Sequence, residues 1–365
     1  MKLNNLIFKG LLFFVVVLTM ISCVKSSRKT TVSIKGNQFY INGELTYKGR
    51  YWQGNKIEGL LLNSRMVQGI FDDSNSETRN KFIYPDTKKW DPNRNTNEFV
   101  TSMAEWHKYG LLAFTLNLQG GSPIGYGSMN CINSAFDEKG NLNIPNMERL
   151  EKILNKADEL GMVVILGYFY FGQDQHLENE PAIVNATDNI TNWILNKGYK
   201  NILVEVNNEC NVHYHHKILQ PERIHELILR VQHMKKDDDH LLVGSSYGGG
   251  FLPLSNVVKT SDFILLHGNG MNNPSQVTAL VEATRKVEGY TPKPILFNED
   301  DHFKFEADTN NFTSAVRSYA SWGYFDYRMS GEGFEEGYQS VPVDWKINSF
   351  RKRGFFNKLK EITGY

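Results

Sequence analysis

The chain has 365 residues, 41% of them hydrophobic and 12% aromatic, enough to bury a substantial core in one large domain or two smaller ones. Its 40 basic and 40 acidic residues give a formal net charge of zero, and the basic ones are dispersed and form no stripe. This argues against a nucleic-acid surface and for a neutral or weakly charged ligand.

At the N-terminus, Lys2 and Lys9 flank a charged start, Leu11 to Ile21 is apolar, and Ser22-Cys23 ends the run. The apolar core is too short to span a bilayer and reads as a secretory signal. Thr19-Met20-Ile21-Ser22-Cys23 resembles a bacterial lipobox, in which signal peptidase cuts before a cysteine that carries lipid. The resemblance implies a lipoprotein signal peptide over residues 1–22, a lipid on Cys23, and a polar tether from Val24 to Thr30. An ordinary signal peptide that happens to hold a cysteine is the alternative. Because Val24 is not the aspartate that retains many lipoproteins at the inner membrane, an outer-membrane anchor is expected, facing the periplasm or the cell surface. The two remaining cysteines, Cys131 and Cys210, cannot frame a disulfide-held domain and are expected as free buried thiols.

Residues 31–58 read as short strands and turns: Thr31 to Ile34 alternates, Phe39 to Ile41 extends, and Asn42-Gly43 is a strong hairpin turn. With the tether they make a small β element over residues 23–58. From residue 59 onward, apolar runs of strand length alternate with helical periodicity. The runs are Gly59 to Asn63, Leu111 to Leu118, Met162 to Tyr168, Ile202 to Val206, Leu241 to Ser245, Phe263 to His267, Ile295 to Asn298 and Tyr324 to Tyr327. Between them, Leu150, Ile153, Leu154, Ala157 and Leu160 make one apolar helix face, and Ile224, Leu227, Ile228 and Val231 make another. Asn95 with Glu98 has capping-box spacing, Pro221 suits a first helical turn, and Gly110, Gly161 and Gly323 stand where helices should end. A last helix is predicted from Asp344 to Thr363. Eight strands, each followed by a helix, predict an α/β fold, a (β/α)8 TIM barrel over residues 59–365. An open doubly wound sheet is the runner-up, but no Gly-x-Gly-x-x-Gly follows the first strand.

Two of the predicted strands end in glutamate. Leu203-Val204-Glu205-Val206-Asn207-Asn208-Glu209 closes the fourth and Pro294-Ile295-Leu296-Phe297-Asn298-Glu299 the seventh. Carboxyl groups at the C-terminal tips of barrel strands point into the mouth, so the pair suggests acid/base chemistry. Glutamates after strands four and seven, the first preceded by Asn208, resemble clan GH-A of the glycoside hydrolases. The resemblance implies a retaining glycosidase acting on an oligosaccharide or polysaccharide, at a bond with an equatorial anomeric oxygen, with neither catalytic metal nor organic cofactor. It further implies Glu209 as acid/base, Glu299 as nucleophile, Asn208 on the sugar 2-hydroxyl, and His267, after strand six, in the place of a residue that holds the nucleophile.

Other strand ends add polar and aromatic candidates. Arg65, after strand one, could lower the pKa of Glu299 as a nearby cation does, or could be a surface-loop arginine. Asn117 and Gln119 after strand two, and Tyr168, Tyr170 and Gln173 after strand three, are candidate hydroxyl binders and stacking faces. His213-x-His215-His216 looks metal-like, yet no His-x-His at strand one completes a metallohydrolase set, so loop histidines or substrate contacts are expected. Asp300, Asp301 and His302 beside Glu299 could bind substrate or a cation, or be solvated loop charges. The acidic loop Ser330 to Tyr338 is expected to border the pocket. Two rivals remain: a non-catalytic carbohydrate-binding lipoprotein on a degenerate barrel, and a metal-dependent barrel hydrolase using the histidine loop.

Overall fold

The computed structural model describes residues 28–127 and 130–365, so the predicted signal peptide and Cys23 lie outside the described residues. Chain order begins with a three-stranded antiparallel sheet, β1 (Val32–Lys35), β2 (Gln38–Ile41) and β3 (Glu44–Leu45), then a hairpin of β4 (Tyr51–Trp52) and β5 (Asn55–Lys56). Asn42 and Gly43 both take positive φ, 53° and 81°, which is what a two-residue turn between β2 and β3 requires.

Eight parallel strands follow: β6 (Asn63–Arg65), β7 (Ala113–Asn117), β8 (Val163–Tyr170), β9 (Ile202–Asn208), β10 (Leu242–Gly244), β11 (Ile264–His267), β12 (Ile295–Glu299) and β13 (Gly323–Tyr324). Six form a continuous sheet in the order β10-β9-β8-β7-β6-β13, and β11 pairs with β12. Backbone bonds close both seams: Asp262 N–H donates to Val243 O at 2.9 Å, and Phe297 N–H to Ser321 O at 2.9 Å. The chain is therefore an α/β barrel of the TIM type, as the strand count predicts. Among the described residues the strands alternate with eight helices: α1 (Pro92–Lys108), α2 (Ile144–Leu160), α3 (Glu180–Lys197), α4 (Ile224–His233), α5 (Ser255–Thr260), α6 (Pro274–Thr284), α7 (Asn311–Arg317) and α8 (Phe350–Thr363). The apolar stripes of α2 and α4 face the sheet, with Leu150, Ile153, Leu154, Ile224, Leu227, Ile228 and Val231 all buried.

Several boundaries differ from those read off the sequence. Strand one starts at Asn63, because Leu61 N–H is taken by the Ser321 hydroxyl at 2.8 Å and not by a neighbouring strand. Helix α1 is capped one turn before the Asn95–Glu98 pair: the Asp91 carboxylate accepts from Asn93 N–H and Arg94 N–H, both at 2.9 Å, with Pro92 opening the first turn. Pro221 precedes α4 without belonging to it. Gly110 and Gly161 do follow helix ends with positive φ, but Gly323 lies in β13, where a Cβ would meet Asn63 Oδ1 at 2.2 Å. Residues 344–348 turn around the Asp344 carboxylate, which accepts from Asn348 Nδ2 at 2.7 Å, so α8 begins only at Phe350.

The small β element closes the N-terminal end of the barrel. Phe39 is fully buried edge-on against Phe263, at 6.4 Å between ring centroids, and its N–H donates to Gly59 O at 2.9 Å. Val32 N–H donates to Lys200 O at 2.8 Å. Gly59, Lys200 and Phe263 lie four, two and one residues before β6, β9 and β11, so these contacts all lie at one end. At that same end the Arg28 guanidinium covers the Tyr199 ring at 3.7 Å and donates to Lys197 O at 3.1 Å. The C-terminal end of the strands is left for the site.

Candidate active site

Glu299 is the last residue of β12, and Glu209 follows β9 directly. Glu209 has φ of 53°, a left-handed conformation that a non-glycine residue adopts at a cost, and Ser246 after β10 holds it there by accepting its N–H at 2.9 Å. One polar atom each of Glu209, His267 and Glu299 lie within 4.8 Å of one another. His267 Nδ1 shares a 2.9 Å hydrogen bond with Glu209 Oε1 and stands 3.5 Å from Glu299 Oε2. Glu299 is enclosed, 5% exposed: Asn269 Nδ2 donates to its Oε1 at 2.7 Å, and Arg65 Nε lies 2.8 Å from its Oε2. The Arg65 contact is a close ion pair set off the hydrogen-bonding axis, since neither atom completes an aligned bond.

Arg65 draws the Glu299 carboxyl down, as expected of a nearby cation, and being buried it is not a surface-loop arginine. Burial pushes the Glu299 carboxyl up, and that effect outweighs the opposing pull of Arg65 and His267, leaving it above the usual glutamate value. Burial also acts on Glu209, but the His267 hydrogen bond and the charges of His267 and Arg65 hold it below. His267 is raised, because Glu299, Glu209 and Glu205 outweigh the burial that would discharge it. His267 and Arg65 are each almost fully buried, and both act on the two glutamates. His267 lies nearer to Glu209 than to Glu299 and within ion-pair distance of both.

The remaining candidates separate into two groups. Asn208 ends β9 with its Oδ1 buried and without a hydrogen-bond partner among the described residues, and both amide atoms of Asn117, at the end of β7, are in the same state. Asn117 reaches across to β8, where its Oδ1 would lie 2.3 Å from a Cβ at Gly167. Tyr170 is at the site as well, with its hydroxyl 3.3 Å from the Ser122 hydroxyl. Tyr168 is not. Its hydroxyl meets Thr191 of α3 at 3.2 Å, so it belongs to the layer between barrel and helices. Gln173 is likewise structural, accepting from Asn133 N–H at 2.9 Å and donating to Cys131 O at 2.8 Å, and Gln119 donates to Ser134 at 3.2 Å.

The histidine loop is a scaffold: His216 Nε2 lies 3.0 Å from Leu177 O, and the Asp174 carboxylate accepts the backbone N–H groups of His215 and His216. Asp300 is buried and accepts from Trp322 Nε1 at 2.9 Å and Asn311 Nδ2 at 3.0 Å, while Asp301 accepts from the Tyr126 hydroxyl at 2.5 Å. The acidity of the Ser330–Tyr338 loop has its counterpart in α8. Arg351 pairs with Glu332, with Asp326 at 2.8 Å and with Glu336 at 3.4 Å. Cys131 and Cys210 are free and buried, as predicted. Asn269 and Glu205 escaped the sequence reading. Asn269 carried no signal beyond lying two residues past a strand-end histidine, whereas Glu205 was visible as a charge inside the apolar run Ile202 to Val206.

No family model matches the sequence, and no curated protein does. Among solved structures, the chain is similar to the endo-1,4-beta-mannanase of Rhizomucor miehei, with a TM-score of 0.54 and 10% identity over 92% of this chain and 100% of that one. A glycoside hydrolase family 5 protein from Bacteroides vulgatus gives 0.54 and 12% over 91% and 71%. The beta-glucosidase of Thermotoga maritima gives 0.53 and 9% over 86% and 99%. Of a further Bacteroides vulgatus structure the chain spans 60%. At such identities the likeness establishes the barrel fold and its coverage of nearly the whole chain.

Proposed function

We propose that the protein is a retaining glycoside hydrolase that cleaves a glycosidic bond of an oligosaccharide or polysaccharide by double displacement, with Glu209 as acid/base and Glu299 as nucleophile. The observation that carries this reading is the approach of the two glutamates, within 4.8 Å at the C-terminal mouth of the barrel. Carboxyl groups about 5 Å apart suit direct attack by one of them, whereas inverting enzymes keep roughly 6.5–9.5 Å to admit water between. Similarity in fold to a mannanase and a beta-glucosidase supports the same substrate class.

In the first step a Glu299 oxygen attacks the anomeric carbon as the glycosidic C–O bond breaks, and Glu209 passes its proton to the departing oxygen. In the second, Glu209 takes a proton from water, whose oxygen displaces Glu299 from the sugar. The amide of Asn208, whose Oδ1 has no partner among the described residues, suits the 2-hydroxyl, a bond that strengthens as positive charge develops on the ring. Asn117 and Tyr170 are further hydroxyl and stacking contacts of the same reading. The cycle needs its proton on Glu209 and not on Glu299, whereas without substrate burial draws the Glu299 carboxyl up and His267 draws that of Glu209 down. Cys23 is proposed to carry the lipid that anchors the chain at the outer membrane.

The test is a panel of aryl glycosides and of plant, algal and host glycans offered to the mature chain. On whichever substrate is cleaved, Glu209→Gln and Glu299→Gln are each expected to lower kcat by about 10²–10⁴-fold or more, and the first product should keep its anomeric configuration by NMR. Turnover unchanged in both variants would sink the assignment.

A further inference from the structure

Beneath the two glutamates, β9 carries a third carboxyl group. Glu205 is fully buried, four residues before Glu209, and its Oε1 accepts from Asn298 Nδ2 at 3.2 Å. The same oxygen lies 4.0 Å from His267 Nε2. Among the described residues, His267 Nε2 and Glu205 Oε2 have no hydrogen-bond partner. A buried carboxylate served by one neutral amide is costly unless a cation is at hand, and the group facing it is His267, a cation when protonated. The ring thus lies between two carboxyl groups, with Nδ1 bonded to Glu209 and Nε2 4.0 Å from Glu205.

Counting charge extends the argument. The ionisable groups around His267 are Glu205 of β9, Glu209 after it, Glu299 of β12, Arg65 of β6 behind Glu299, and Tyr170 of β8 beside Arg65 and Glu299. Three carboxylates against two cations leave one negative charge in excess, and one further proton makes the enclosed cluster neutral. In a poorly polarisable interior the neutral state is favoured. That extra proton is the one the acid step consumes. Neutralising Glu205 would remove the need for it.

We propose that Glu205 is a positioning residue whose charge keeps two protons in the cluster at neutral pH, one on His267 and one on the Glu209–Glu299 pair. It acts through His267 and touches no substrate. The kinetic consequence rests on the glycosidase reading, but the proton count does not.

Glu205→Gln keeps the size of the side chain and an acceptor for Asn298 while removing the charge. In isotope-labelled protein, NMR titration of the His267 imidazole should show a midpoint lowered by about one pH unit or more, with circular dichroism unchanged. On any substrate cleaved, the alkaline limb of kcat/KM should move to lower pH by a similar amount. At pH values above the limb, kcat should fall about tenfold for each pH unit by which the limb has moved, with KM altered far less. An unshifted His267 midpoint and an unshifted limb would reduce Glu205 to a structural residue, even if stability fell. Should the variant fail to fold, the unmodified chain decides: a His267 midpoint at or below the ordinary histidine value of about 6.5 overturns the proposal. Absence of glycosidase activity leaves the titration readable, so the two ideas fail separately.

Discussion

Arg65 shows how one side chain sets the working range of the site. It is buried beside Glu299, and without it burial and Glu209 would push the Glu299 carboxyl higher still. As the proposed nucleophile, Glu299 must be ionised, so raising its pKa would move the acidic limb of kcat/KM upward. Arg65→Met is expected to shift that limb to higher pH and to lower kcat, and Arg65→Lys to shift it less; a pH profile on a cleaved aryl glycoside checks both. Glu209, Glu299 and Asn208 were legible because strand ends in a barrel have a defined direction, so counting strands locates a side chain in space. Tyr168 and Tyr170 have the same parity, and counting could not separate them. Their different fates depend on how the end of β8 meets Gly120, where a Cβ would lie 2.2 Å from the Tyr170 ring. Glu205 is the opposite case. The sequence displayed it inside an apolar strand, but its meaning depends on His267 arriving from β11.

Helices show a similar division. The apolar faces of α2 and α4 are readable because 3.6-residue periodicity is a local property, whereas the start of α1 depended on which of two candidate caps the backbone uses. Asp91-Pro92 satisfies two N–H groups and supplies a preset first turn, so it prevails over Asn95–Glu98. Asp91→Ala should cost about 1 kcal/mol in a denaturant titration, while Glu98→Ala should cost appreciably less. The loop after β13 was opaque for a different reason. Its acidic residues take their partner from α8, in a contact that no local pattern announces. Arg351→Ala is expected to leave Asp326 buried without its cation and to open the Ser330–Tyr338 loop to limited proteolysis.

At the scale of the molecule, architecture was the most legible feature, since eight alternations of strand and helix over about 300 residues admit few topologies. What could not be read was the position of the N-terminal strands, which is decided by long-range contacts such as Phe39 on Phe263. Phe39→Ala should cost about 3–5 kcal/mol in a denaturant titration, with kcat unchanged below the unfolding transition, because the side chain is at the far end of the barrel from Glu299. The Arg28 clamp on Tyr199 is at that far end too. If Cys23 bears lipid, as proposed, the chain from Cys23 to Arg28 can extend at most about 17 Å. The closed end of the barrel would then stand over the bilayer like a foot, and the catalytic mouth would open away from it, toward diffusing glycans. The anchored protein and a soluble form lacking residues 1–27 should accordingly cleave a long soluble polysaccharide with kcat/KM equal within about twofold; a large deficit in the anchored form would mean that the barrel lies on its side.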